Sequence, residues 1–377
     1  MLWTLLAGNF IIGTGVLLPA GLLNEISAGL AISTATAGLL MLVGGVVVAV
    51  AAPLVAGMTS SVDRRTLLVL ALALYAAGHV ASAMVPGFSA LLALRAVTVL
   101  GAAIFTPQAA ATAGLLVPQN RRAGAIAFIF IGWSAASVAG IPLGSYLATL
   151  IGWRLVMAGM GVACAIAALL VWQSLPRGLF VQKLTPAAWK GALTNPVLLA
   201  VLLVTLLSMS GQMTVFAYIA PILRDAFAGG PEQVAMAFAV SGIAGVTGNF
   251  IAARIVGRVG IDRVIALTIT CLICGLAIFA TSFGHFGLAL AGIALWGIGS
   301  FSSNSLQQSR LVAIAPGLAA ATVSLNTSVV YVGQAVGAGL GGWFVAKEIT
   351  PSMAWTACAL TVAALLTSLA ATRAART

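Results

Sequence analysis

Apolar residues run in stretches of about 20, the length a helix needs to cross roughly 30 Å of hydrocarbon at 1.5 Å per residue. Short turns bearing Pro, Gly or Arg separate these stretches. The pattern predicts twelve membrane-spanning helices, over 2–23, 35–57, 66–84, 88–115, 123–147, 155–172, 196–219, 234–256, 264–283, 287–309, 318–345 and 353–369. The strands of an outer-membrane barrel would be about ten residues long and would alternate polar and apolar positions. The longest polar connection, with Pro176, Arg177, Lys183, Pro186 and Lys190, divides the pattern. The expected organisation is an all-α membrane protein with an N-terminal six-helix bundle at 1–173, a cytoplasmic linker at 174–195 and a C-terminal six-helix bundle at 196–377.

Composition agrees with a lipid-facing surface. Of 377 residues 62% are hydrophobic and 6% charged, with mean hydropathy +1.16, too little charge for a protein surrounded by water. The formal charge of +11 comes from 17 Lys and Arg against 6 acids, spread thinly at the ends of apolar runs, so the bilayer rather than a nucleic acid accounts for it. Basic residues are retained on the cytoplasmic side of short loops. With the N-terminus inside, that side holds Arg64, Arg65, Arg121, Arg122, Arg177, Lys183, Lys190, Arg254, Arg258, Arg263, Arg310, Arg373 and Arg376, and the outer side only Arg154, Arg224 and Lys347. Both termini are therefore expected in the cytoplasm of a bacterial-type inner membrane. Cys164, Cys271, Cys274 and Cys358 lie in apolar runs and read as small packing residues. The first run lacks a basic leader and a small-residue cleavage pattern, and reads as a retained span.

The halves repeat at an offset near 198 residues: Gly144 stands opposite Gly342, Gly13 opposite Gly211, and the segment 63–65 opposite 261–263. A two-fold repeat of six helices suits a carrier whose central site opens alternately to the two sides.

The fifth span carries Gly132, Gly140, Pro142 and Gly144, followed by Gly152, Trp153 and Arg154. The first carries Gly13, Thr14, Pro19, Gly21 and Leu22. Together they resemble the major facilitator superfamily, within it the twelve-span drug:proton antiporter and arabinose-type sugar efflux group, over essentially the whole chain. Physically, small residues let backbones approach and Pro142 bends its helix, so the resemblance implies that the fifth span is a smooth surface for sliding. Val16 stands where many relatives carry a membrane Glu. The loop with Gly57, Ser61, Asp63, Arg64 and Arg65 is a degraded form of the family's cytoplasmic signature, in which charges contact neighbouring helix ends; a plain basic anchor is the other reading. Arg254, Arg258, Asp262 and Arg263 form its counterpart.

No enzymatic or metal-ligating constellation is present, no nucleotide phosphate loop occurs, and no cofactor is expected. All six acids, Glu25, Asp63, Asp225, Glu232, Asp262 and Glu348, are expected at helix ends or in loops, which argues against a mid-membrane carboxylate. Arg95 is the one charge within a span and should face the central cavity, with a structural pairing to helix carbonyls as its alternative; His79 is the one group within a span that titrates near neutrality. Arg95 and His79 are the candidates for proton coupling.

The family fold places spans one, four, seven and ten around the cavity, with two, five, eight and eleven alongside. The polar residues it implies as lining are Asn9, Thr14, Arg95, Thr98, Gln108, Gln212, Tyr218, Trp296, Asn304, Gln307, Asn326, Tyr331 and Gln334. Such a set favours a neutral, zwitterionic or anionic small molecule. The expectation is a monomeric, proton-coupled efflux transporter for a drug, sugar or metabolite. The competing readings are an uncoupled facilitator or exchanger and, in another class, a non-transporting sensor or scaffold.

Overall fold

The computed structural model describes residues 1–59, 61–180 and 186–374; Lys183 and Arg376 lie outside them. Among the described residues twelve helices are long and apolar enough to cross a membrane. The first six crossings are α1 (Leu2–Leu30), α2 (Thr34–Met58), α3 (Arg64–Met84), α4 (Phe88–Leu115), the pair α5 (Arg122–Ala135) and α6 (Ile141–Ile151), and α7 (Trp153–Ser174). A short helix α8 (Pro186–Thr194) stands in the linker. The last six are α9 (Pro196–Phe216) continued by α10 (Ile219–Phe227), α11 (Pro231–Val259), α12 (Ile261–Thr281), α13 (Phe286–Ile314), α14 (Ala319–Ala346) and α15 (Thr350–Ala374). Twelve crossings return the chain to the face on which it starts. We call this the terminal face and the other the distal face.

Local chemistry sets the boundaries. Ser33, Asp63 and Asn195 cap α2, α3 and α9 by accepting main-chain N–H bonds, and Pro196 follows at a position where no N–H is needed. Gly152 and Gly260 take φ of 83° and 91°, turning the chain between α6 and α7 and between α11 and α12. Two boundaries shift. Helix α1 runs to Leu30, past the expected end at Leu23, which places Glu25 in its last two turns. The fifth crossing is interrupted by a π-helical turn, Ala136–Gly140. Pro142 lacks the N–H that would bond the carbonyl of Val138, so the regular ladder cannot pass through this point.

The glycines of the fifth crossing pack within their own half. A Cβ on Gly132 would stand 2.5 Å from the Leu6 carbonyl, and Gly140 and Gly144 lie against Thr14 and Leu18, all on α1 of the same half. The other half builds the same seam: Gly333, Gly337 and Gly341 of α14 lie against Leu206 and Met209, Ser210 and Met213, and Thr214 and Tyr218. By role Gly140 therefore matches Gly341, whereas Gly342 faces the Tyr218 hydroxyl and shifts the expected pairing of Gly144 with Gly342. Between the halves the close approach is Gly242 of α11 on Ser137 and Val138 of the fifth crossing, where a Cβ would meet backbone at 2.6–2.7 Å.

On the other flank α2 lies along α14. A Cβ on Gly45 would stand 2.8 Å from the Tyr331 carbonyl and 2.9 Å from the Ala335 nitrogen, one on Gly339 would touch Leu42, and Gly38 lies under the Tyr218 ring. These contacts join the distal parts of the two halves. Nearby, Glu25 of α1 is within electrostatic reach of Arg224 of α10. Toward the terminal face, Gly57 and Gly257 have open space where a Cβ would stand.

Gly45→Val should wedge α2 from α14, because the atoms it would strike are backbone and cannot turn aside; overpacking of this kind costs about 1–3 kcal/mol. A thiol placed at Leu42 in this background should be labelled from the distal side several-fold faster than in the parent. Equal labelling rates would show that this seam does not close the distal face.

Candidate functional site

A small cavity lies between the halves. The N-terminal half contributes Leu17 of α1 and Ser137 of the π turn. The remainder comes from α9 (Gln212, Met213, Phe216), α11 (Phe238, Ser241, Gly242) and α13 (Trp296, Ser300, Phe301). The rings meet edge to face: Phe216 and Phe238 have centroids 5.4 Å apart, and Phe216 and Trp296 6.1 Å apart. Gln212 organises the polar side. Its Oε1 accepts from Ser300 Oγ at 2.6 Å and from Trp296 Nε1 at 3.4 Å, while its Nε2 donates to the Ser208 carbonyl at 3.1 Å. No lining residue is ionisable. The arrangement can stack against an apolar face and exchange hydrogen bonds with hydroxyls, and it offers nothing to neutralise a charge.

Of the polar residues expected to line the cavity, Gln212 and Trp296 do. The others are placed elsewhere, for physical reasons. Asn9 donates to the Ile129 carbonyl and accepts from Thr106, which also receives Trp133 Nε1, so it ties α1, α4 and α5 together. Thr14 donates to the Phe10 carbonyl beneath Gly140. Asn326 accepts from Thr205 and donates to Asn304, joining α9, α13 and α14. Tyr218 donates to the Ala338 carbonyl between α2 and α14. Gln307 and Gln334 are buried, with Nε2 of both and Oε1 of Gln307 lacking a partner among the described residues. Tyr331 lies on the α2–α14 seam within electrostatic reach of Arg95. Phe216, Phe238 and Phe301 were not singled out from the sequence, since a ring in an apolar run has no contrast with its neighbours; the Ser241–Gly242 pair was the available signal of a close approach.

Arg95 and Thr98 line a second, separate chamber with His79, Ser82, Leu91, Met157, Pro19 and Leu40. Pro19 has no N–H, so the carbonyl of Gly15 loses its helical donor. Arg95 supplies one: Nη1 donates to Gly15 O at 2.9 Å, Nη2 to Val16 O at 2.7 Å, and Nε to Leu40 O at 3.4 Å. This is the structural pairing to helix carbonyls, in a chamber apart from the aromatic cavity. His79 Nδ1 lies 2.8 Å from the Tyr75 carbonyl, so Nδ1 carries a proton and donates it.

At the terminal face the charges of the 63–65 segment separate. Asp63 accepts from the main-chain N–H of Thr66, Gly178 and Leu179, fastening the start of the linker to α3. Arg64 is buried and donates to Gln108 Oε1 and to the Thr59 carbonyl, both at 2.6 Å, which places Gln108 in this lock instead of the cavity. Arg65 lies over the Trp172 ring at 4.2 Å. In the second half Arg310, expected at a cytoplasmic end, is buried, bound to Asp262 at 3.1 Å and to Ser368 and Thr372. Burial pushes the Asp63 carboxyl up, but the hydrogen bonds from Thr66, Leu179 and Gly178 outweigh this and hold it below the usual carboxylate range.

The sequence model of the Major Facilitator Superfamily matches residues 5–338. The chain is 30% identical to the "Inner membrane transport protein YdhP" of Escherichia coli O157:H7, over 90% of this chain and 87% of that one. It is 27% identical to a "Probable sugar efflux transporter" of Helicobacter pylori (strain G27), over 81% and 78%. Its fold superposes on the crystal structure of a D-xylose-proton symporter with TM-score 0.80 at 14% identity, over 97% and 96% of the two chains.

Two outcomes follow from this geometry. Because the Asp63 carboxyl is held below its unfolded value, its stabilisation is present above about pH 4 and is lost as pH falls through the lower folded value. The melting-temperature difference between wild type and Asp63→Asn should therefore be largest near neutrality and shrink in acid; a difference independent of pH would contradict it. Arg95→Ala should lower the melting temperature as well as transport, since it strands the Gly15 carbonyl in hydrocarbon at a cost of about 1–3 kcal/mol. Unchanged stability would show that another donor serves that carbonyl.

Proposed function

We infer that this chain, which belongs to the Major Facilitator Superfamily, exports a small neutral solute with hydroxyls on one edge and an apolar face on the other, with monosaccharides as the leading class. It is a multi-pass membrane transporter rather than an enzyme. The observation that carries the substrate class is the cavity between the halves, in which aromatic rings and the Gln212–Ser300 pair stand without any ionisable neighbour. Sugars match such a surface: their C–H faces stack on rings and their hydroxyls exchange bonds with an amide and with serines. The name carried by the Helicobacter relative points the same way.

In this reading the terminal face is cytoplasmic, in accord with the basic residues gathered there, and the membrane is a bacterial inner membrane. The halves rock about the cavity, so that the distal seam and the terminal opening alternate. Each chain acts as a monomer. Protons drive export through His79 beside Arg95. Helix α1 connects the two places, since Leu17 lines the cavity and Pro19 the chamber. The absence of an ionisable group from the cavity also favours a second reading, a facilitator without proton coupling.

Proteoliposomes given radiolabelled L-arabinose, D-xylose and a thiogalactoside test both. An acid lumen should drive uphill accumulation of at least one of them. Accumulation that stops at equilibrium selects the facilitator, and movement of none of the three overturns the sugar class. Gln212→Leu and Trp296→Ala should each lower kcat/KM at least about tenfold, equivalent to roughly 1.4 kcal/mol; wild-type values in both would remove the cavity from the transport path.

A further inference from the structure

We propose that the main-chain carbonyl of Ser137 is the N-terminal half's hydrogen-bond acceptor for the transported solute, taking a hydroxyl proton from the molecule that Gln212 and Ser300 hold from the other half. The assignment rests on the hydroxylated-solute reading above. Its first support is the hydrogen bonding of the π turn. In an α-helix the Ser137 carbonyl would accept from the N–H of Ile141, four residues on, and in π spacing from that of residue 142. The Ile141 N–H is bonded to the Ala136 carbonyl, and Pro142 has no N–H. Both regular donors are therefore gone. The Ser137 hydroxyl gives no relief, since it donates to the Trp133 carbonyl at 3.3 Å. Pro142 thus does to Ser137 what Pro19 does to Gly15, but at Gly15 Arg95 supplies the missing donor. Among the described residues no side chain does so for Ser137. A buried acceptor left in this way calls for a partner from outside the chain.

The second support is where this carbonyl stands. Ser137 and the apolar Leu17 are what the N-terminal half gives to the cavity wall. Gly242 lines the same cavity, and a Cβ on it would stand 2.6 Å from both the carbonyl carbon and oxygen of Ser137 and 2.7 Å from the Val138 nitrogen. Three near-equal distances put Gly242 over the flat face of that peptide. The oxygen accepts hydrogen bonds near the peptide plane, so the glycine covers the group without satisfying it. The cavity is small in this arrangement, and parting of α11 from the π turn would enlarge it and uncover the carbonyl in one movement. The other polar side chains of the wall, Gln212, Ser241, Trp296 and Ser300, all belong to the C-terminal half. A solute bonded to Ser137 on one side and to Gln212 and Ser300 on the other therefore spans the two halves, and it must carry at least one hydroxyl that donates.

The test alters the carbonyl itself. Incorporating the α-hydroxy acid of valine at position 138 turns the Ser137–Val138 amide into an ester, whose carbonyl is a weaker acceptor, and leaves every side chain in place. The full-length protein in proteoliposomes, given L-arabinose, D-xylose and a thiogalactoside, should then show KM raised about three- to tenfold for the sugar it moves, the worth of one hydrogen bond, with kcat within about twofold. The α-hydroxy acid of isoleucine at Ile131, an exposed position of α5, makes the same chemical change away from the cavity and should leave KM as in wild type. Pro142→Ala returns a donor to the ladder and should raise KM likewise without lowering the melting temperature; it decides the matter if the ester protein does not assemble. Wild-type KM in the deciding variant overturns the assignment while the sugar class stands. A fall in kcat alone also overturns it, and assigns the Ser137–Pro142 segment to the bending motion instead. Movement of none of the three sugars by wild type is failure of the underlying reading, seen before any variant is made, and it takes this assignment with it.

Discussion

Inside hydrocarbon no water serves a main-chain or side-chain polar group, so each one must find its partner within the protein. The clearest consequence is at Pro19. By withholding an N–H it frees the Gly15 carbonyl, and Arg95 reaches from α4 to hold that carbonyl together with those of Val16 and Leu40. One side chain thereby ties three helices together beside Pro19. The same necessity binds Asn9 to Thr106 and the Ile129 carbonyl, Asn326 to Thr205 and Asn304, and Arg310 to Asp262 and Ser368.

Because so many polar side chains are consumed in joining helices within a half, few remain to face the space between halves. What does face it is a set of aromatic rings organised by Gln212, a surface without charge. The glycines serve a complementary purpose. They bring α5 onto α1 and α14 onto α9 within each half, and Gly45 and Gly242 bring one half against the other on the distal side. Rigid halves with narrow, backbone-to-backbone contacts between them are what relative motion requires, since few side chains must repack when the contact shifts.

The twelve crossings were legible because each is a long apolar run between charged or turn residues, and hydropathy records depth. Rotation about the helix axis is another matter. Hydropathy gives Asn9 and Gln212 the same character, yet Asn9 turns into the α4–α5 packing and Gln212 toward the cavity. Phe216, Phe238 and Phe301 were hidden because a ring in an apolar run has no polar contrast. Arg95 was conspicuous as a lone charge, but its partner, the Gly15 carbonyl 80 positions earlier that Pro19 leaves without its helical donor, becomes visible only once α1 and α4 are side by side. The Gly–Pro pattern of the fifth crossing was readable as close packing, while the identity of the helix it packs on required the fold.

As a solute site, the aromatic cavity must be reached from the terminal face when the distal seam is closed. The most direct test is the reactivity of a thiol at Ser241→Cys toward a membrane-impermeant reagent applied to each face, with the modified position identified by mass spectrometry. The account predicts modification from the terminal face, slowed at least about tenfold by a saturating transported solute. A thiol that reacts from neither face, or whose reaction such a solute leaves unchanged, would contradict it.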